Sequence, residues 1–425
     1  MHRRDFLALL TTPALVALLQ ACSSDDDAAP DGTAPPRGAL ASSALGRTPI
    51  DPEDALEAAF VLDDFGTRLY RLLAVDQPAG NIVISPVSLS VALAMVLAGA
   101  AGDTAAQLAE AMGMDTPDTI HHAMNALLTE LGKRGDEQVA LSVESSLWAQ
   151  YDVTFTPTYL DVVAAEYGTG VHLVDYRGDA AGAREEINEW VGGKTSGRIP
   201  ELLPDGAVDA ATRLALVNAI YLKAPWLQPF DPAATSDQPF TTADGATVQV
   251  PMMTLHTTIP YASGDGWQAI DLAYDSHDLT LVLILPEEGT LAQLEAEFLV
   301  SGMTPYMSPT DVRLSVPRFD ANTALSLVEV LRRMGIEDLF DGADLSGMSA
   351  DGNLKVGNVL HQANITVDEA GTEAAAATAV IAPGGAGPSE TEPIDVTFDR
   401  PFLFAVRDRG TESYLFLGRI GDPRG

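Results

Sequence analysis

The sequence predicts a mixed α+β fold with large antiparallel or mixed sheets, and three observations carry that reading. Short runs rich in β-branched residues, at 214–222, 279–285, 312–316, 364–367, 403–406 and 414–420, read as strands. Helical patterns, as at 183–191 and 325–334, interrupt them irregularly, so no repeating βαβ unit is present. Hydrophobic residues make up 46% of the 425 and are spread along the chain, which excludes wholesale disorder.

Residues 1–22 begin with His2-Arg3-Arg4, continue in an apolar stretch and end in Leu19-Gln20-Ala21-Cys22, the layout of an export signal. Arg3-Arg4-Asp5-Phe6-Leu7 resembles the twin-arginine export motif. Leu19-Gln20-Ala21-Cys22 resembles a bacterial lipobox, which implies that Cys22, the only cysteine, is lipidated. The expected address is the cell envelope, periplasmic or surface-exposed, with membrane contact through the lipid alone. Residues 23–52 are rich in Asp, Ala, Pro, Gly and Ser and are expected to be a disordered tether. The folded domain is expected at 53–425.

That domain should open with an amphipathic helix at 53–73, in which Leu56, Phe60, Leu62, Phe65, Leu69, Leu72 and Leu73 recur at helical spacing. A second helix should start after Ser85-Pro86, where Ser can cap and Pro suits the first turn. Its residues 87–97 are apolar on every side, so it should be buried. Formal charge is −36, from 60 Asp and Glu against 24 Lys and Arg. Nucleic acid needs the opposite field, so neither it nor a polyanionic cofactor is an expected partner.

Catalytic patterns are absent: there is no G-x-S-x-G elbow, no S-x-x-K pair and no H-E-x-x-H zinc helix. Gly193-Lys194-Thr195 lacks the earlier glycine of a phosphate loop, because position 188 is Asn188. His121 and His122 are adjacent on a helix, about 100° apart, and a solvated face is expected there rather than a metal. No metal and no cofactor are expected. His361, alone on a predicted strand, reads as a hydrogen-bonded core residue.

Several segments, in order, resemble the serpin family: Asn81-Ile82-Val83-Ile84-Ser85-Pro86, Asn188-Glu189-Trp190-Val191 with Thr195-Ser196-Gly197-Arg198-Ile199, and Leu216-Val217-Asn218-Ala219 running to Trp226. Val359-Leu360-His361-Gln362-Ala363, Arg400-Pro401-Phe402 and Leu415-Phe416-Leu417-Gly418-Arg419-Ile420 complete the set. The resemblance implies three β-sheets, about nine helices and an exposed reactive-centre loop at about 369–397. It implies a shutter of Ser85, Ser88, Asn218 and His361, and a breach of Trp226, Arg318 and Glu369. The implied activity is inhibition of serine, and also cysteine, endopeptidases by a monomeric suicide substrate that is not itself an enzyme. The alternatives are a non-inhibitory serpin kept as an envelope binding or surface module and, more remotely, a hydrolase of another fold.

The hinge Glu369, Gly371, Thr372, Glu373, Ala374, Ala375, Ala376, Ala377 and Thr378 supports this from its own chemistry. For such a segment to become a central strand, alternate side chains must enter the core. Thr372, Ala374, Ala376 and Thr378 take the inward register and are small and uncharged, whereas Glu373 falls outward, where solvent is expected. Gly371 gives the pivot its backbone freedom. Counting from Glu369 puts the bait bond at Gly385-Ala386; counting back from Pro401 puts it at Glu390-Thr391. No Lys or Arg lies between Glu369 and Asp399, so elastase-, subtilisin- or glutamyl-endopeptidase-like targets are expected, not trypsin-like ones.

Overall fold

The computed structural model describes residues 34–114, 117–276, 278–297, 306–351, 354–373 and 392–425. Its first part runs β1 (Leu40–Ala41), α1 (Asp54–Asp76), β2 (Ile82–Ile84), α2 (Pro86–Leu97), α3 (Gly102–Ala111) and α4 (Pro117–Leu131). Then come β3 (Ala140–Gln150), α5 (Pro157–Tyr167), β4 (Val171–Val174), α6 (Tyr176–Lys194) and β5 (Leu214–Pro225). Strands dominate the second half: β6 (Ser236–Thr241), β7 (Thr247–Gly264), β8 (Trp267–Ala273), β9 (Leu279–Pro286), β10 (Ser308–Pro317), β11 (Phe319–Ser326) and β12 (Val356–Val367). The last are β13 (Gly371–Thr372), β14 (Ile394–Thr397), β15 (Phe402–Asp408) and β16 (Ser413–Ile420), and three short helices intervene: α7 (Leu291–Glu297), α8 (Val328–Arg333) and α9 (Asp338–Asp341).

A central sheet takes the order β1-β4-β3-β5-β13-β12-β11. The other two sheets of the expected architecture are fused into one, of order β14-β10-β7-β8-β9-β15-β16-β2 with β6 on β7. β7 causes the fusion, because it pairs with β6 and β10 over most of its length and with β8 only through Tyr261–Gly264.

Both faces of the central sheet are covered, which is why β5 reads as a continuous apolar run. Leu214, Leu216, Ile220 and Leu222 join the main core, while Ala215, Val217 and Ala219 pack with α6 and the segment after it. Beneath the sheet lies α2, buried along its whole length, with Pro86 in its first turn and Ser85 as its cap. In α1 the buried stripe is Ala55, Ala58, Ala59, Leu62, Phe65, Leu69 and Leu73, so two residues counted into it are misplaced. Leu56 and Phe60 face outward, Phe60 at 83% exposure, because the alanines let the helix approach its neighbours along a different line. Among the described residues no helix is long and apolar enough to cross a membrane.

The tether expected to reach residue 52 ends earlier. Leu40 and Ala41 pair antiparallel with His172 and Val171 on the outer edge of β4. Arg37 bonds Glu189 on α6 at 2.8 Å, and the Thr48 N–H donates to the Ala165 carbonyl on α5 at 2.8 Å. Buried Asn125 on α4 donates to the Thr48 carbonyl at 3.0 Å. Gly170 leaves room for this arm, since a Cβ there would collide with the Ala41 carbonyl. Backbone pairing with an open strand edge, which composition does not report, gives the segment its order.

Candidate functional site

At the centre of the large sheet β5 and β12 run parallel, Leu214–Ile220 alongside Val356–Ala363. Above Ile220 and Ala363 they part, and the chain leaving β12 turns back into the gap. The Asp368 side chain makes the turn by accepting from the N–H groups of Ala370 and Gly371 at 2.8 and 3.2 Å. β13 then lies antiparallel to both neighbours, Gly371 and Thr372 against Pro225 and Ala224 of β5, and Thr372 against Val367 of β12. Gly371 is required there. Its φ is +153°, and a Cβ would strike the Ala224 carbonyl oxygen. Thr372 is 1% exposed and points inward, its Oγ1 2.5 Å from the Tyr274 hydroxyl.

Trp226 stacks on Tyr274 with centroids 4.6 Å apart and donates from Nε1 to the Asp368 carbonyl at 2.9 Å. Its backbone N–H donates to the Ala370 carbonyl at 2.9 Å, so the residue grips both ends of the turn. Glu369 accepts two hydrogen bonds from Arg318, at 2.6 and 2.8 Å, and one from Thr235 at 2.5 Å. Burial pushes the Glu369 carboxyl up, but these donors outweigh it and hold it below the ordinary carboxylate value. Of the three residues expected at the breach, Arg318 and Glu369 thus pair directly, and Trp226 holds the backbone on either side of Glu369.

The four residues expected at the shutter also meet, all fully buried. Asn218 and His361 are partners across the β5–β12 ladder, and His361 Nδ1 is hydrogen-bonded to Asn218 Oδ1. The Ser85 N–H donates to His361 Nε2 at 3.1 Å. A backbone N–H can only donate, so Nε2 carries no proton and the ring is neutral with its hydrogen on Nδ1. Burial lowers the His361 pKa to about 3. The Ser88 N–H donates to Ser85 Oγ at 3.3 Å, and Ser145 on β3 donates to the Ser88 carbonyl at 2.8 Å. Asn218 Nδ2 has no partner among the described residues.

Glu373 does not sit in solvent as its outward register suggested. It lies on the face covered by the α6–β5 connection, with its side chain 2% exposed and a left-handed φ of +51°. Arg198 Nε lies 3.2 Å from Oε2, and Tyr221 of β5 faces the carboxylate. Outward from a strand means outward only until another layer covers it. Ala374, Ala375, Ala376, Ala377, Thr378, the candidate bonds Gly385-Ala386 and Glu390-Thr391, and Cys22 lie outside the described residues. Sequence reasoning missed Tyr274, Thr235, Asp368, Tyr221 and Arg198. Arg198 and Tyr221 stood inside recognisable motifs and Asp368 directly before the hinge, while nothing marked Tyr274 or Thr235. His121 Nδ1 lies 2.7 Å from the Tyr167 hydroxyl, and His122 sits between Asp54 and Glu166, with no metal-binding cluster among the described residues.

A mixed sheet holding two residues of its own downstream chain between two parting strands defines a class of proteins recognised by that opening. The family model for Serpin (serine protease inhibitor) matches residues 61–423. Leukocyte elastase inhibitor A of Mus musculus is 37% identical over 373 residues, spanning 84% of this chain and 97% of its own. Its Homo sapiens counterpart, leukocyte elastase inhibitor, is 36% identical over the same shares. Human thyroxine-binding globulin superposes with a TM-score of 0.80 at 29% identity, covering 88% of this chain and all of its own. The thermophilic serpin tengpin in its native state gives 0.78 at 26% identity, covering 90% and 97%. The chain belongs to the serpin family.

Proposed function

We propose that this protein inhibits serine endopeptidases as a suicide substrate and does not itself turn substrate over. A target attacks the loop after β13 and forms its acyl-enzyme. Cleavage frees the hinge to continue between β5 and β12, carrying the protease away before deacylation. The observation that supports this best is the seating of Thr372 in the inward register at the mouth of the gap. Small side chains succeed it at every second position, Ala374, Ala376 and Thr378. Relatives named as elastase inhibitors favour the serine-protease reading over a non-inhibitory module. A panel of purified proteases checks it on a denaturing gel. Elastase- or subtilisin-like enzymes should form a covalent complex that survives denaturation, or glutamyl endopeptidases should do so if Glu390 is the bait. Trypsin should form none at this loop. Absence of a complex with every enzyme that cuts the loop would favour the surface-module alternative.

The reading extends to location: Cys22 carries lipid and holds a monomeric inhibitor at the cell envelope, with residues 23–33 as the spacer. In cells fed a clickable fatty acid, the wild type should be labelled and Cys22→Ser should lose the label entirely. Equal labelling of the two would end the idea.

A further inference from the structure

We propose that the Arg37–Gly38 bond is a release site: a trypsin-like protease that cuts it frees the folded domain from its anchor, and Glu186 seats the terminus that the cut creates. Release in this sense rests on reading Cys22 as lipidated; the cut and its seat do not. Arg37 is the first Lys or Arg after Cys22, so one cut there removes the whole segment leading to the domain. The bond lies in an exposed turn, where Gly38 takes a left-handed φ of +77° and the Ala39 N–H donates to the Pro36 carbonyl at 3.1 Å. Arg37 is 58% exposed and is held by Glu189 at 2.8 Å and Glu185 at 3.8 Å. Exposed ion pairs of this kind contribute little, so the turn can open and offer an extended strand to a protease cleft. Sheet pairing starts just beyond it, with the Leu173 N–H on the Ala39 carbonyl at 2.9 Å. The next basic residue, Arg47, is placed differently. Its Nη2 donates to the Glu166 carbonyl at 3.2 Å, and Thr48 on the far side of the bond is held by Ala165 and Asn125. A cut there requires the arm to leave α5 first.

The step is a hydrolysis. Water adds across the amide, its hydroxyl going to the Arg37 carbonyl carbon and its proton to the Gly38 nitrogen. The new carboxylate stays with the lipid, and the new amine stays with the domain. That nitrogen already donates to Glu186 Oε1 at 2.7 Å. After the cut it is an ammonium, so the same contact becomes a charge-assisted hydrogen bond. Arg37 departs with the anchor, and the ammonium replaces it as the cation facing Glu185, Glu186 and Glu189 on α6. The cut terminus is therefore bound to α6 more firmly than the turn it came from, while β1 and everything after it keep their contacts. The bait loop makes the release selective. No Lys or Arg lies between Glu369 and Asp399, so an enzyme specific for basic residues finds its bond in the arm and is not consumed at the loop.

The test treats total membranes from sonicated cells carrying the full-length protein with dilute trypsin, and reads the supernatant by intact mass and N-terminal sequencing. A single chain beginning at Gly38 should appear about tenfold faster than any product of a downstream cut, and it should still trap an elastase-like enzyme. Arg37→Gln should stay in the pellet, and Arg37→Lys should be released as the wild type is. In the released chain, an acylating reagent at pH 8 should modify the Gly38 amine about threefold faster in Glu186→Gln than in wild type, because the carboxylate no longer holds the proton on an amine that ordinarily titrates near pH 8. First cutting at Arg47 or Lys133, release of Arg37→Gln at the wild-type rate, or equal acylation of the two products overturns the proposal. Cutting at Arg37 in a chain that was never in the pellet keeps the cut and its seat and loses the lipid reading. A pelleted wild type that trypsin leaves whole loses the release site alone.

Discussion

Thr372→Arg should turn the inhibitor into a substrate. The wild-type side chain fits a closed site between β5 and β12, against Tyr274 and below Trp226, at 1% exposure. Arginine there buries a cation in a site built from hydroxyls and aromatic rings, a cost of about 3–5 kcal/mol. At about 1.4 kcal/mol per tenfold, insertion slows at least a hundredfold, while deacylation by the protease is untouched. Stoichiometry on a denaturing gel should show cleaved protein accumulating and active protease surviving. Thr372→Ser, which keeps the hydroxyl and the size, is the control. Glu373→Arg would be a poor one, because Glu373 is buried against Arg198 and the change brings two cations together. Trapping by Thr372→Arg as complete as by wild type would mean that β13 does not lead the insertion.

Acid should loosen the closed sheet through His361. Its unfolded value is near 6.5 and its folded value about 3, so between those limits the unfolded chain binds the extra proton. Stability from this residue is present in full above pH 6.5 and falls as the pH drops towards 3. Between pH 7 and pH 5 the loss is about 2 kcal/mol, and the bond across β5 and β12 weakens with it. Urea midpoints at pH 5, 6 and 7 should therefore fall more steeply in wild type than in His361→Gln, which is less stable at pH 7 but cannot titrate. Parallel pH profiles for the two would rule out His361 as the source.

Local pattern made much of this legible. Ser85-Pro86 marked a helix start, the β5 run marked a strand buried on both faces, and the alternation after Gly371 marked the inward register of Thr372. What stayed hidden depends on which layer lies over which. Glu373 reads as outward, and only the connection after α6 decides that outward is not solvent. Thr48 sits in an Ala/Pro/Gly-rich stretch that looks like linker until Asn125, far along the chain, supplies its partner. Leu56 and Phe60 follow helical spacing, yet the alanines of α1 form the closer contact. The lipid, the bait bond and most of the hinge rest on residues outside the described set, so they remain sequence readings tested by the labelling and trapping experiments.

The direction in which β13 runs gives the fold somewhere to go. β5 and β12 are neighbours of like polarity, the arrangement whose slanted hydrogen bonds are slightly weaker per residue. β13 enters against the grain of both. Each residue by which it lengthened would exchange one like-polarity contact for two of opposite polarity, straighter and stronger. The intact molecule is a sheet with a seam of like-directed strands at its centre, and the strand that would separate them is carried on the same chain.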